Sequence, residues 1–200
     1  MRPLIIPILA LLLTSCAGIQ SDKMARNKID IDAYLAALSN PGVFSAQSTC
    51  STGPTLNEWY EAKIDQSTAV VSMPSGRPAA PICIKIPVGA TELVLHSNEV
   101  GGATYYSTTM AFPSTQFLAD DFSLIEDFPK PRNIIGAGIL SGFALTSEYD
   151  LTKNLAHARY MLIYVHPASL DSGVQVVDGI QHIWVPYAPY GEFRMRFRKK

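Results

Sequence analysis

The sequence contains few of the residues that metal sites and most enzyme active sites use. Its 200 residues include only four histidines and three cysteines, and Lys, Arg, Asp and Glu together make up 16% of the chain. The histidines form no HxH or HExxH pair, which excludes the common short-spaced zinc motifs. We therefore predict no metal ion and no cofactor, and we interpret the histidines as surface or strand-end residues: His96, His157, His166 and His182.

A nucleophile motif is also missing. The segment 138–142 places Ser141 between glycines, but it has the form GxxSG rather than GxSxG, and no α/β alternation surrounds it.

Acidic residues gather in the segment 120–127, and paired carboxylates at a suitable separation hydrolyse glycosidic bonds. Their closeness in sequence favours instead a solvated loop held by neighbouring aromatic side chains. We predict no catalytic residue, and a glycan-acting hydrolase is the alternative that would use the acidic group: Asp120, Asp121, Glu126 and Asp127.

Positive charge is scarce except at the C-terminal end. The chain has 16 Lys and Arg against 17 Asp and Glu, and five of the 16 basic residues lie in the segment 194–200. Leaving out these five and Arg2, ten basic residues face 17 acidic ones, which gives the rest of the chain a net charge of about -7. A body this acidic argues against nucleic acid as a partner.

The N-terminal apolar run is too short to span a membrane. It extends from Leu4 to Leu13, about ten residues, whereas a hydrocarbon core of about 30 Å needs about 20. Arg2 before this run and small residues after it describe a secretory signal. The run ends in Leu13-Thr14-Ser15-Cys16, which resembles the lipobox of bacterial lipoproteins. An ordinary secretory signal with an incidental cysteine is the alternative.

In the lipoprotein family, the signal is cleaved before the lipobox cysteine, and the cysteine sulfur is diacylated. The resemblance implies that Cys16 becomes a lipidated N-terminus. Ala17, rather than Asp, at the next position resembles the outer-membrane sorting pattern, so we expect a lipid anchor at the periplasmic face of the outer membrane. We predict three parts of the chain: a signal peptide over 1–15, a flexible tether over 16–30 and a single domain over 31–200.

The two cysteines that remain, Cys50 and Cys83, form an even pair in a chain expected to enter an oxidising compartment. This pair predicts a disulfide that closes a loop of about 34 residues, which in the chain-entropy model stabilises the fold by about 3–4 kcal/mol. Two buried free thiols are the alternative.

Short segments rich in β-branched and aromatic residues, separated by Gly and Pro turns, recur from about Trp59 to the C-terminus. They predict an all-β fold, an antiparallel β-sandwich of about eight short strands with one or two short helices. The run 160–165 is apolar without interruption, which is typical of a central strand covered on both faces. The candidate helices are 31–38 and 148–158, and the candidate strands are 67–73, 82–86, 91–96, 103–112, 139–146, 160–165, 174–177, 182–185 and 193–198.

The last candidate strand alternates strictly between apolar and basic residues. Phe193, Met195 and Phe197 share one face, which we expect to be buried, and arginines share the other, which we expect to face solvent. The basic row has two interpretations. It is either a docking face for anionic lipid head groups or an acidic protein, or the charge that keeps an edge strand soluble. Its members are Arg194, Arg196 and Arg198.

Several aromatic residues lie near predicted strand ends or in Pro-rich loops. Exposed aromatic rings offer flat apolar faces that sugars and partner proteins both use. Although most aromatic residues of a domain belong to its core, these five are candidates for ligand or partner contact: Tyr105, Tyr106, Trp184, Tyr187 and Tyr190.

Several segments between about residues 80 and 170 agree in order and spacing with one known family. They are IPVGATELVLHS at 86–97, Phe-Pro at 112–113, Asp-Phe at 121–122, Leu-Ser-Gly at 140–142 and the apolar run 160–165. In this region the chain resembles the maltose operon periplasmic protein family. The resemblance implies a secreted β-rich domain linked to maltose or maltodextrin uptake, and it carries over no catalytic residue.

These features favour a lipid-anchored envelope protein without enzymatic activity, which binds a carbohydrate or an envelope protein in support of sugar uptake. The alternatives are a glycan-acting hydrolase and a structural subunit of an outer-membrane assembly. A concave cleft between opposed carboxylates would favour the hydrolase, whereas a flat aromatic patch would favour binding.

We predict that Cys16→Ser leaves the protein unprocessed or releases it into the soluble periplasmic fraction, because no sulfur remains to carry the lipid. Cell fractionation followed by immunoblotting measures the outcome, with Ser21→Ala in the tether as the control. Unchanged processing and membrane association in Cys16→Ser would contradict the prediction.

Overall fold

The computed structural model describes residues 22, 24–45, 50–51, 53–100, 109–126, 128, 130–138, 142–152, 157–178 and 181–199. It confirms the all-β prediction, since two large, mostly antiparallel sheets share one apolar core and form a sandwich. These residues form sixteen strands, twice the number expected, and several are only two residues long. In chain order they are β1 Gly42–Val43, β2 Cys50–Ser51, β3 Tyr60–Ile64, β4 Val71–Ser72, β5 Pro78–Ala79, β6 Ile82–Lys85, β7 Glu92–Val100, β8 Thr109–Met110, β9 Pro113–Leu118, β10 Leu124–Ile125, β11 Arg132–Gly138, β12 Gly142–Asp150, β13 Tyr160–Val165, β14 Gly173–Asp178, β15 Gln181–Pro186 and β16 Gly191–Arg198.

A helix over 24–37 precedes the strands, and a short 3-10 turn follows β13 at Pro167–Ser169. The helix begins well before the predicted start, so the prediction of a flexible tether was wrong for its second half. The buried side-chain amide of Asn27 donates to the Tyr187 carbonyl oxygen at 3.2 Å. About two turns later on the same face of the helix, the buried Tyr34 hydroxyl donates to the Val165 carbonyl oxygen at the end of β13, at 3.0 Å. These two hydrogen bonds fix the helix against the sandwich.

The two main sheets place β13 at the centre of the fold. The five-stranded sheet has the order β10-β9-β13-β6-β2, and the six-stranded sheet has the order β11-β12-β7-β16-β3. Met161, Ile163 and Val165 of β13 point into the main core between the sheets, while Leu162 and Tyr164 point into a second core on the opposite side. The prediction of a strand covered on both faces is confirmed.

β16 confirms the predicted alternation. Phe193, Met195 and Phe197 are 0% exposed, Arg194 faces solvent, and the other two arginines are half-buried on the same outer side. However, β16 pairs with β7 on one side and β3 on the other, so the edge-strand interpretation was wrong. Protection of a sheet edge is therefore not the reason for the arginines.

The second core also contains the disulfide. Cys50 of β2 and Cys83 of β6 lie directly opposite each other in a parallel pair, with their Cα atoms 4.3 Å apart. The predicted disulfide is confirmed. A small sheet of order β1-β4-β5 contributes Ala79 to the same core, next to Met73.

One local prediction was wrong. Residues 148–150 belong to β12 rather than to a helix, because Tyr149 is buried in the main core and pairs with Leu93 across the sheet. Gly136 and Gly138 lie within β11. Parts of three predicted elements lie outside the described residues: 103–108, 139–141 and 153–156.

The hairpin of β14 and β15 forms a separate two-stranded sheet. Its inward residues, Val176, Ile183 and Val185, pack with Met110 and Leu145 as a third apolar core. Because side chains alternate along a strand, this packing turns the other face of the hairpin to the outside.

Truncating a buried phenylalanine costs about 3–5 kcal/mol. We expect Phe197→Ala to lower the free energy of unfolding by about that amount, whereas Arg194→Ala on the outer face of the same strand costs less than about 1 kcal/mol, since surface ion pairs contribute little. Urea unfolding followed by circular dichroism measures both variants. Equal destabilisation by the two would contradict the assignment of the buried face.

Candidate functional site

The structure divides the predicted site residues into separate environments. Cys16, Tyr105 and Tyr106 lie outside the described residues. Of the remaining aromatic candidates, Tyr187 is only 8% exposed, whereas Trp184 is 61% exposed. The predicted contact residues that the structure describes therefore do not form one continuous surface.

Tyr187 and Tyr190 contribute to packing. The ring of Tyr187 lies 5.0 Å from that of Phe112, and burial raises the pKa of the Tyr187 hydroxyl. Tyr190 is half-buried and meets Tyr34 of the helix edge to face, with 5.9 Å between ring centroids. Burial, followed by two nearby carboxylates, raises the pKa of Tyr190. The prediction of an exposed contact residue was wrong for Tyr187, and Tyr190 serves to hold the helix.

Trp184 lies on the outer face of the β14–β15 hairpin. On this face it stands opposite Gln175, and the neighbouring pair is His182 opposite Val177. We call these four residues, together with Gly173 beneath the indole, the Trp184 face. Because the inward side of the hairpin is apolar and packed, the strands hold the Trp184 face in a fixed orientation.

The indole of Trp184 rests on Gly173. A Cβ atom added at Gly173 would lie 2.8 Å from Cε2 and 2.9 Å from Cζ2 of the indole, and 2.5 Å from the Val185 carbonyl oxygen. Only glycine therefore leaves room for the ring here, an arrangement in which an aromatic side chain covers a glycine in a sheet. One face of the indole packs on the backbone, and the ring remains mostly open to solvent.

Two polar side chains lie beside the indole. Gln175 Nε2 and His182 Nδ1 are 3.1 Å apart. With the amide as donor, the imidazole accepts at Nδ1 and carries its proton on Nε2. The Trp184 face thus combines a flat apolar ring with amide and imidazole hydrogen-bonding groups, the composition expected of a binding surface with a few directing polar groups.

The acidic segment does not form an opposed carboxylate pair among the residues that the structure describes. Asp121 accepts hydrogen bonds from the hydroxyl and backbone N–H of Ser123, at 2.6 and 3.0 Å, and these bonds lower the pKa of its carboxyl group. Asp120 and Asp121 line one depression of about 480 Å³, while Glu126 lines another of about 300 Å³. Asp127 lies outside the described residues.

Aromatic stacking holds this acidic segment in place. Phe122 stacks on Tyr160 with ring centroids 4.6 Å apart, and Phe128 stacks on Phe117 at 3.6 Å. The acidic side chains Asp120, Asp121 and Glu126 are exposed between these anchors. The interpretation as a solvated loop held by aromatic residues is therefore supported.

The basic row of β16 is partly neutralised within the sheet. Arg194 Nε lies 3.2 Å from a carboxylate oxygen of Glu61, and Arg198 Nη1 lies 3.4 Å from one of Glu92. Two of the three arginines therefore have acidic partners, and the row is not a uniformly positive surface. Arg196 lies over the ring of Trp59.

Two further absences apply to the described residues only. No three His, Cys, Asp or Glu side chains in those ranges are close enough together to hold a metal ion. No helix in those ranges has both the length and the apolar character needed to cross a membrane.

Comparisons with family models, curated proteins and solved structures gave no match. The functional interpretation therefore depends on the geometry of the described side chains and on the sequence resemblance over residues 80–170.

Sequence reasoning identified Trp184 but missed Gly173 and Gln175. Apolar and polar residues do not alternate cleanly along 174–177 (VQVV) or 182–185 (HIWV), so the outward face containing Gln175 and Trp184 left no clear periodic signal. One signal was available in the printed sequence. A glycine at the start of such a strand indicates close approach of another group.

We expect Gly173→Ala to displace the Trp184 indole, because the added Cβ would lie within 3 Å of the ring. The chain has two tryptophans, so in a Trp59→Phe background all indole fluorescence comes from Trp184. Acrylamide quenching of that fluorescence should increase in Gly173→Ala and stay constant in the neighbouring control Ser172→Ala. Identical quenching in both variants would show that the indole does not rest on Gly173.

Proposed function

We propose that this protein is a lipid-anchored, non-enzymatic binding protein at the periplasmic face of the outer membrane, and that the Trp184 face binds a carbohydrate. The observation that carries the proposal is the support of the indole by Gly173 on a hairpin whose inner face is packed. A ring that is already positioned loses little conformational entropy when a ligand stacks on it.

The chemistry of a pyranose ring matches the Trp184 face. One side of many sugar rings presents C–H groups, which pack on an aromatic plane, while the hydroxyl groups around the rim require hydrogen-bond partners. Gln175 and His182 supply such partners beside the indole. Amide, imidazole and indole groups recognise a sugar without a nucleophile or an acid–base pair, so binding without reaction is the activity proposed.

The ligand class that we favour is an α-linked glucose oligomer. The support is the resemblance of residues 80–170 to the maltose operon periplasmic protein family, which is linked to maltose or maltodextrin uptake. The lipobox at Cys16 supports the proposed location, because a lipid anchor would retain the binding face in the periplasm near the site of sugar entry. An accessory role in maltodextrin uptake combines both features.

Trp184→Ala tests the proposal. We expect it to weaken maltoheptaose binding about tenfold or more, because removal of an aromatic anchor costs at least the 1.4 kcal/mol that corresponds to a factor of ten. Trp184→Phe keeps an aromatic plane and should retain most of the affinity. Isothermal titration calorimetry measures all variants, and circular dichroism checks the fold.

Trp59→Ala is the matched control, since Trp59 is the other tryptophan of the chain and lies against the outer face of β16 rather than on the hairpin. Binding of maltoheptaose should be unchanged in this variant. Absence of binding to the wild-type protein, or equal binding by wild type and Trp184→Ala, would refute the proposed ligand class or the proposed face, respectively.

A further inference from the structure

The three outward arginines of β16 have different electrostatic partners. Arg194 pairs with Glu61 at 3.2 Å, and Arg198 pairs with Glu92 at 3.4 Å. Arg196 lies between them on the strand, and among the described residues no carboxylate forms an ion pair with it. Its positive charge is therefore the uncompensated one of the row.

Arg196 is held against an aromatic ring. Its Cζ lies 4.6 Å from the centroid of the Trp59 ring, and Cζ of Arg194 lies 5.5 Å from the same centroid. Both distances are within the range of cation–π attraction. Arg196 Nε is shielded from solvent and has no hydrogen-bond acceptor among the described residues, which is an unfavourable state for a charged donor. The described part of the chain therefore leaves this donor of the guanidinium group unsatisfied.

Trp59 is positioned independently of any ligand. Its ring meets that of His96 edge to face, with 4.8 Å between centroids. The preceding turn is fixed by a hydrogen bond from the Asn57 N–H to the Phe197 carbonyl oxygen at 2.7 Å, with Asn57 in the left-handed region at a φ of 67°. Trp59 remains 38% exposed, so a ligand can reach its ring, and the half-buried Arg196 lies beside it.

The electrostatic potential that the arginines produce at His96 is positive, although two of them are in ion pairs. Burial lowers the pKa of His96 first, and the charges of Arg194, Arg196 and Arg198 lower it further, while Glu148 acts in the opposite direction. A bound anion would offset this field. His96 is therefore a natural reporter of anion binding at this position.

We propose that Arg196, Trp59 and His96 form a binding site for a phosphate group, separate from the Trp184 face. A guanidinium group presents coplanar N–H donors that match two phosphate oxygens, and the contact with Trp59 holds that plane in place. The uncompensated positive charge of Arg196 is complementary to the negative charge of a phosphate group. Two sources provide this chemistry: the head group of an anionic phospholipid and a soluble phosphate ester.

The test follows the imidazole NMR signal of His96 in the full-length protein during titration with inorganic phosphate, at an ionic strength kept constant with chloride. We expect the pKa of His96 to rise and the rise to saturate, because bound phosphate offsets the field of the arginines. In Arg196→Gln the response should be lost or require about tenfold more phosphate. Arg198→Gln removes the same charge from a neighbouring ion pair and should keep the response.

Arg196→Lys provides a second variant if Arg196→Gln does not fold, since lysine keeps the charge and the aliphatic stem but loses the planar fork. We expect weaker phosphate binding in this variant as well. No rise in the wild-type protein, equal loss in Arg196→Gln and Arg198→Gln, or an equal effect of acetate and phosphate would each overturn the proposal.

Two further probes separate the sources of phosphate. Dihexanoyl phosphatidylglycerol, used below its micelle concentration, presents a lipid head group, and glycerol 3-phosphate presents a soluble ester. A response at lower concentrations of the lipid assigns the site to phospholipid head groups, whose acyl chains contact Trp59. A response at lower concentrations of glycerol 3-phosphate assigns it to soluble esters. Failure of both probes to shift His96 would overturn the site.

Discussion

Burial of β13 on both faces is the constraint on which the rest of the fold depends. Its odd-numbered residues join the core between the two main sheets, and its even-numbered residues, Leu162 and Tyr164, need a separate apolar cover. Each face of the strand contributes about 25 cal/mol per Å² of apolar surface removed from water, so the second face stabilises the fold only if it is covered as well. The chain provides the second cover with the segment that carries β1, β4, β5 and the disulfide. Binding chemistry is consequently left to the outer surfaces.

The elements that could be predicted were those whose side-chain pattern alone determines burial. The uninterrupted apolar run of β13 and the strict alternation of β16 are such patterns. The start of the helix was not predictable in this way, because the buried Asn27 is polar and becomes a packing residue only through its bond to the Tyr187 carbonyl. Likewise, 148–150 has helix-compatible residues, and only pairing with β7 makes it a strand.

The candidate site was predicted in part for a similar reason. Trp184 was predicted from its place near the end of a candidate strand, which is local in sequence, and the hairpin pairing turns it outward. Tyr187 packs against Phe112 and Tyr190 packs against Tyr34 of the helix, and contacts between residues so far apart in the chain leave no local pattern. The environment of Arg196 was hidden as well, since the position of Trp59 over its guanidinium results from the pairing of β3 with β16.

The parallel pairing of β2 with β6 makes the shape of one sheet edge dependent on redox state. β2 has only two residues, too few to remain paired through backbone hydrogen bonds alone, and Cys50 stands directly opposite Cys83. In a reducing cytoplasm β6 would therefore display an open edge, and open edges recruit strands from other chains. The disulfide holds β2 on that edge covalently. A chain with the disulfide formed is thus protected from self-association at β6, which favours recombinant production in an oxidising compartment.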